Sequence, residues 1–443
     1  TISLLDEADS GNAIIRGNSF YTIVDGPSWT EAEAKSNKLG GNLVTINDKE
    51  EYSWGANNVW SSQNYVANGY VEGTMSYTGF NDKDIEGSYQ WSSGEETEWN
   101  NLTDLILAQN WFSQKHHFDG WDYGMIFANT DFEIEGTDTR FTPYQNRGNI
   151  VLMDDNGSFY RNSGSNIAGI AETKFIRRGD SAYVVVEGPT WEEAEANANK
   201  LGGHLVTIND DAEENFLINN FKNLINIDSN DQEFSEPAKS IRAWTGLKIS
   251  SGWNKELDGL DSGSRIWSSG EISEYEPKNI FHGGMQINDG PTGDSYIQFL
   301  LEDHLISLDN NFDNKINNES GTWISFRGSD DERYYDGSIQ GIAEIKLSPN
   351  NAPTGTLSIK GDAKVGETIT IDLSDIKDKD NFEGYTPTYK YSWEVSKDNG
   401  ESWTALSSND ATDNDSSYVI TDGENGKYFR GILSYIDGYG TNE

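Results

Sequence analysis

The chain of 443 residues contains no cysteine. That absence excludes disulfides, thiolate zinc sites and cysteine nucleophiles together. No apolar run approaches the ~20 residues that a membrane-spanning helix needs. The opening TISLLDEADS lacks the basic start and apolar stretch of a signal peptide, so any export address is expected outside these residues. Basic side chains are scarce: 32 Lys and Arg face 74 Asp and Glu, a formal net charge of −42. A surface of that sign repels nucleic-acid phosphates and anionic membranes, so neither nucleic acid nor membrane insertion is expected. Histidines number five. No H-E-x-x-H, G-x-S-x-G or phosphate-loop pattern is present, so no enzyme motif is found.

Aromatic residues are plentiful at 12%, with 14 Trp, 21 Tyr and 18 Phe, enough for true cores. The length suggests about three domains. The many acids have two readings, a solvating coat and ligands for a hard cation such as calcium.

The strongest internal signal is a duplication. Residues 26–48 read GPSWTEAEAKSNKLGGNLVTIND and residues 188–210 read GPTWEEAEANANKLGGHLVTIND, identical at 18 of 23 positions at an offset of 162. WSSGE recurs at 91–95 and 267–271, and GIAE at 169–172 and 341–344. A period this long means two whole domains. In each copy, Trp29, Ala32, Ser36, Leu39 and Trp191, Ala194, Ala198, Leu201 form the stripe of an amphipathic helix. Ser28 with Glu31, and Thr190 with Glu193, make a capping-box pattern, and Gly40 and Gly202 stop the helices. Leu43–Ile46 and Leu205–Ile208 read as short buried strands. Asn47-Asp48 and Asn209-Asp210 can cap a second helix, which carries Phe216, Leu217 and Phe221 in the second copy. Each copy closes on a Gly-Ile-Ala-Glu strand, an α+β pattern.

This order of landmarks, with Tyr77-Thr78-Gly79-Phe80 and Trp244-Thr245-Gly246-Leu247 in the place of a W-x-G-L strand, resembles the C-type lectin-like fold over most of residues 12–347. That family normally carries two disulfides; their absence here is as in bacterial members. The resemblance implies an α+β fold class of two C-type lectin-like domains, 1–173 and 174–347. Beyond 347, Ser348–Gly355 is a turn-rich linker. Tyr389, Tyr391, Trp393 and Val395 alternate, as do Phe429, Gly431, Leu433 and Tyr435, and Asp398-Asn399-Gly400 makes a tight turn. Roughly seven short strands over 348–443 suggest an all-β sandwich that resembles the immunoglobulin-like repeats of large bacterial surface adhesins.

In C-type lectins a loop calcium ion accepts the vicinal hydroxyls of a sugar, held by Glu-Pro-Asn and a later Trp-Asn-Asp. The second copy has Glu276-Pro277-Lys278-Asn279, one residue longer, so Glu276 and Asn279 are candidate metal and ligand contacts, with Asn288 and Asp289 further along. Gly321-Thr322-Trp323 runs into Ile324 and Ser325, so two expected ligands are missing. The alternative is a Pro-containing turn with solvated acids. The first copy has Glu98-Trp99-Asn100-Asn101 without Pro, and a long segment rich in aromatics. Trp99, Trp111, Asp119, Trp121 and Asp122 are its candidate ligand-binding residues, for stacking on a sugar face and bonding its hydroxyls; the same rings could instead form that segment's own core. Asp309–Asp313 has the alternate oxygens of a calcium loop but lacks its Gly and Glu. In the sandwich, Asp378 and Asp380 resemble inter-repeat calcium ligands, or form a plain acidic turn. His204 stands where the first copy has Asn42, a surface variation.

These readings lead to a non-enzymatic, secreted or cell-surface adhesin fragment that binds an extracellular glycan or surface ligand with calcium as cofactor. The alternative is a pair of structural or protein-binding modules in which calcium serves rigidity only.

Overall fold

The computed structural model describes residues 13–26, 28–59, 75–85, 88–97, 122–127, 150–153, 168–225, 241–249, 265–275, 280–282, 295–301, 304–307, 315–318, 320–327, 340–406 and 415–443. Two compact units emerge: Thr1–Ile14 with Phe20–Leu347, and Ile15–Ser19 with Ser348–Glu443.

The first unit is α+β, mostly strand with few helices, and compatible with the fold that the sequence resembles. Its first repeat runs β1 Ile14–Arg16, β2 Ser19–Asp25, α1 Trp29–Lys38, β3 Asn42–Leu43, α2 Lys49–Asn58, β4 Met75–Asn81, β5 Gln90–Trp91, β6 Tyr123–Phe127, β7 Ile150–Met153 and β8 Ala168–Lys174. The second runs β9 Ile176–Arg178, β10 Ser181–Glu187, α3 Trp191–Lys200, β11 His204–Leu205, α4 Asp211–Phe221, β12 Arg242–Ile249, β13 Arg265–Trp267, β14 Ile280–His282, β15 Ser295–Leu300, β16 His304–Ser307, β17 Lys315–Asn318, β18 Trp323–Arg327 and β19 Gln340–Lys346. Each repeat owns its sheet, ordered β1-β2-β8-β4-β6-β7 and β14-β18-β15-β12-β19-β10-β9. In both, an early strand pairs with the last one, β2 with β8 and β10 with β19. In the second repeat that ladder runs antiparallel from Ser181↔Lys346 to Glu187↔Gln340. The chain therefore leaves and returns at one place, and everything between is one excursion.

Local chemistry forms the helices as the spacing predicts. Ser28 Oγ accepts the Glu31 N–H at 3.2 Å, and Thr190 Oγ1 accepts that of Glu193 at 3.2 Å. Asp48 and Asp210 cap α2 and α4 in the same way, at 2.8 and 2.7 Å. Gly40 and Gly202 sit at φ +78° and +85°, left-handed values suited to a helix stop.

The Leu-Val-Thr-Ile segments differ from expectation. Only Leu43 and Leu205 join a ladder; the next three residues are buried but irregular. Val44 explains why. Its N–H donates to Ile170 in β8 at 2.7 Å and its carbonyl accepts from Gly79 in β4 at 3.0 Å. Val206 bridges Ile342 and Gly246 identically, at 2.8 and 2.9 Å. The segment spans two strands rather than extending one.

β4 and β12 both break register beside Gly79 and Gly246. A Cβ at Gly79 would lie 2.6 Å from the Leu43 carbonyl oxygen, and one at Gly246 2.5 Å from that of Leu205. Close backbone approach at an irregular strand position requires glycine there. Across the same joint, Trp29 Nε1 donates to the Thr78 carbonyl and Trp191 Nε1 to that of Thr245, each at 2.7 Å. WSSGE completes it: Trp91 and Trp267 are buried, while Ser93 and Ser269 bond Thr45 and Thr207 at 2.6 and 2.7 Å. The second core gathers Tyr183, Leu217, Phe221, Leu247, Trp267, Phe299, Trp323 and Ile342.

The second unit contains, among its described residues, six strands in two three-stranded antiparallel sheets. These are β20 Ser358–Lys360, β21 Thr368–Asp372 and β24 Ser417–Val419, and β22 Lys390–Ser396, β23 Thr404–Ala405 and β25 Tyr428–Ser434. Ile369, Ile371, Trp393, Tyr418 and Ile420 form its core. The predicted tight turn has Asn399 at φ +60° and Gly400 at +91°.

Candidate functional site

Three polar arrangements stand out among the described residues. The first ties each repeat shut. Tyr183, buried on β10, donates its hydroxyl to Glu213 Oε1 of α4, and the Glu344 Oε1 of β19 lies 3.4 Å from the same hydroxyl. Glu213 Oε2 accepts the Asn209 N–H at 2.9 Å. Glu344 Oε1 accepts from Ser181 Oγ at 2.7 Å and Lys346 Nζ at 2.8 Å, and Oε2 accepts the Thr207 N–H at 3.4 Å. Arg178 reaches Glu213 at 3.5 Å. The first repeat repeats this with Tyr21 donating to Glu51, and with Glu172 accepting the Thr45 N–H at 3.2 Å. Burial raises the Glu213 carboxyl above its ordinary range, against the Tyr183 and Asn209 hydrogen bonds that lower it. Burial also pushes the Tyr183 phenol up, helped by the neighbouring Glu344 charge. In a chain without disulfides, this network links the early strand, the second helix and the last strand. Sequence reasoning passed over it, although Glu172 and Glu344 end the two GIAE motifs and Glu51 and Glu213 each follow their capping Asp by three residues.

The second arrangement is an aromatic corner. In the first repeat Trp29 packs on Tyr123 with ring centroids 4.8 Å apart, and Lys83 Nζ lies 5.0 Å over the Trp29 ring. Asp122 is half-buried beside Tyr123, and its carbonyl accepts the Asp82 N–H at 3.0 Å. In the second repeat Trp191 packs on Tyr296 at 5.0 Å, and Lys248 Nζ lies 5.6 Å over the Tyr296 ring. Trp29 is buried, whereas Trp191 is partly open. The half-open Trp191 ring of the second corner can stack on an apolar sugar face, whereas the first corner offers the Asp122 carboxylate beside a closed Trp29.

Of the residues proposed from sequence for ligand contact, Asp122 alone falls among those described. Trp99, Trp111, Asp119, Trp121, Glu276, Asn279, Asn288 and Asp289 lie outside them, as does Asp309–Asp313. The position matching Trp99 is Tyr275, which packs against the second core and donates its hydroxyl to Asp211 at 2.8 Å. Trp323, where the resemblance places a ligand-bearing strand, is fully buried. His204 is surface-placed, with Nδ1 2.7 Å from Glu195 Oε1.

The third arrangement is a carboxylate corner of the second unit. Asp380 Oδ2 accepts the Asn351 N–H and Oδ1 its side-chain amide, both at 2.7 Å. Asp378 Oδ1 accepts the Asp380 N–H at 2.9 Å, and Oδ2 the Tyr435 hydroxyl at 2.9 Å. Calcium takes six to eight oxygens. These carboxylates spend theirs on protein donors, and among the described residues no three His, Asp or Glu side chains form a metal-holding group. As built, the corner is a hydrogen-bonded clamp on Asn351.

No family model matches the sequence, and no curated protein does. Solved structures do. The mouse scavenger receptor C-type lectin carbohydrate-recognition domain is 16% identical, with a TM-score of 0.23, over 40% of this chain and 97% of that one. The cow CD23 carbohydrate-recognition domain, solved in the presence of a GlcNAc2Man3 oligosaccharide, is 18% identical, with a TM-score of 0.22, over 39% and 94%. The SPL-1–GlcNAc complex is 15% identical, with a TM-score of 0.23, over 39% and 93%.

Proposed function

We propose that this chain is a carbohydrate-binding module of an extracellular or cell-surface adhesin, with two C-type lectin-like repeats and an immunoglobulin-like sandwich, and without enzymatic activity. One observation carries the reading: the frame is held constant while its excursions differ. The Val44 and Val206 bridges, the Trp29 and Trp191 indole bonds and the two Tyr–Glu–Glu ties match atom for atom. Beyond the shared WSSGE motifs, the segments that follow share no comparable identity. A rigid frame carrying divergent segments suits two binding sites of different preference.

The half-open Trp191 supplies a ring for a sugar in the second repeat, and Asp122 a carboxylate in the first. The calcium-assisted form rests on Glu276, Asn279, Asn288 and Asp289 through the sequence resemblance alone. A glycan array with the full chain, run with calcium and with EGTA, tests both. Binding lost in EGTA supports the calcium-assisted form, and binding kept in EGTA supports the corner acting alone. An empty array under both conditions removes the sugar reading in favour of protein-binding or spacer modules.

A further inference from the structure

The two aromatic corners are built alike, yet the first is shut and the second is partly open. In each, the first residue of a helix is a tryptophan whose Nε1 donates to a strand carbonyl at 2.7 Å, that of Thr78 for Trp29 and of Thr245 for Trp191. In each, a tyrosine packs on that ring, Tyr123 at 4.8 Å and Tyr296 at 5.0 Å. The two tyrosines hold the same ladder position, opposite Asn81 and Lys248. Trp29 is nonetheless only 2% exposed, whereas Trp191 is partly open. The lysines are placed differently. Lys248, at the position of Asn81, reaches over the tyrosine, with Nζ 5.6 Å from the Tyr296 ring centre. Lys83, two places beyond Asn81, reaches over the tryptophan itself, with Nζ 5.0 Å from the Trp29 ring centre. The residue two places beyond Lys248 is Ser250, too short and uncharged for the same contact.

We propose that Lys83 is a lid on the first corner, so that Trp191 is the ring that meets ligand as the protein stands, while the Trp29 face beside Asp122 is a latent site of the same kind. The inference rests on the glycan reading of these corners and names the residue that decides between them. Two features hold the lid. The π face of Trp29 attracts the ammonium directly. Glu33 stands one turn further along α1, fixed by the Leu43 N–H at 2.8 Å, the Ser92 hydroxyl at 3.1 Å and the Asn37 amide at 3.2 Å. Burial raises the Glu33 carboxyl, and the charge of Lys83 is among the effects that lower it. The ammonium thus feels a ring and a carboxylate carried by one helix. The matching Glu195 instead faces His204, whose Nδ1 lies 2.7 Å away. A sugar that stacks on Trp29 must first displace the Lys83 ammonium. An exposed contact of this kind corresponds to roughly a two- to fivefold bias toward the shut form.

Hydroxyl-radical footprinting of the full chain, read residue by residue by mass spectrometry, follows each tryptophan separately. The native protein should show Trp191 oxidised and Trp29 protected. Lys83→Ala is expected to raise Trp29 oxidation about two- to fivefold and to leave Trp191 unchanged. Lys83→Arg, which keeps the charge and stacks on aromatic faces, should keep Trp29 shut. Methyl β-galactoside, a neutral sugar with one face rich in C–H groups, and the strongest binder on the glycan array are then added in turn. Sugar should protect Trp191 in every protein, and should lower Trp29 oxidation in Lys83→Ala alone. Trp29 oxidation that stays at the native level in Lys83→Ala overturns the lid, because other atoms then close the ring. Trp29 that opens but gains no protection, while Trp191 is protected, overturns the latent site. Opening of Trp29 with no sugar protection at either tryptophan and an empty array refutes the glycan reading and leaves the lid standing.

Discussion

Tyr183→Phe probes the tie that closes the second repeat. The substitution deletes one oxygen from a site 1% exposed and leaves the ring in place, so no cavity larger than a hydroxyl opens. Glu213, itself 2% exposed, loses its Tyr183 donor and keeps the Asn209 N–H at 2.9 Å and Arg178 at 3.5 Å. A hydrogen bond to a charged group contributes about 1.5–3 kcal/mol. For a repeat of about 170 residues that corresponds to a fall in Tm of roughly 3–12 °C. The sign with pH is specific. Glu213 is already raised by burial, and the Tyr183 bond lowers it, so the variant raises it further. A carboxyl raised on folding binds its proton more readily in the folded state. Its cost is therefore present at pH 8 and is relieved as pH falls through the folded value toward the unfolded one. Calorimetry should show the larger loss at pH 8 and a smaller one at pH 5. In a Glu213→Gln background, where the acceptor is neutral, Tyr183→Phe should cost only about 0.5–1.5 kcal/mol at both pH values. An equal loss at both pH values in the native background, or no loss, refutes the argument that Tyr183 stabilises a buried charge.

Gly246→Ala forces a Cβ to 2.5 Å from the backbone oxygen of Leu205 and should cost about 3 kcal/mol or more in urea unfolding, whereas Gly270→Ala, at φ +75° with nothing within 4 Å, should cost only about 1–2 kcal/mol. Asp380→Ala frees both Asn351 donors and should lower the stability of the second unit by about 1–3 kcal/mol, with faster amide exchange at Asn351 as the readout. Asp398 is held down to about 2 by the Ser396 hydroxyl first and Ser402 next. Its contribution is therefore present above the ordinary aspartate range and lost as pH falls through about 2, and Asp398→Asn should flatten the acid limb of the second unit's unfolding between pH 4 and 2.

Much of the frame was legible in the chain. Ser28, Thr190, Asp48 and Asp210 cap their helices through bonds to residues three positions on, a local geometry that spacing reveals. The duplication at an offset of 162 and the alternation through Tyr391, Trp393 and Val395 are periodicities of the sequence itself. The candidate site was far less legible. Asp122 was found by its aromatic neighbours, but its corner partners Trp29 and Lys83 are distant in sequence and carry no motif pointing to it.

The amino-acid order by itself thus determined the repeat, which is an identity along the chain, and the helices with their caps and glycine stops, because those depend on residues within a few places of one another; that Gly79 and Gly246 must be glycine follows only from the distant Leu43 and Leu205 carbonyls packed against them. Tertiary structure alone decided that Val44 bridges two strands instead of extending one, and that Glu172, 121 positions from Glu51, shares its tyrosine. It also set Lys83 over the Trp29 ring while leaving Trp191 partly open. Those partners are chosen when the early and last strands pair and the chain between them closes, and no local preference encodes which side chains that closure brings together.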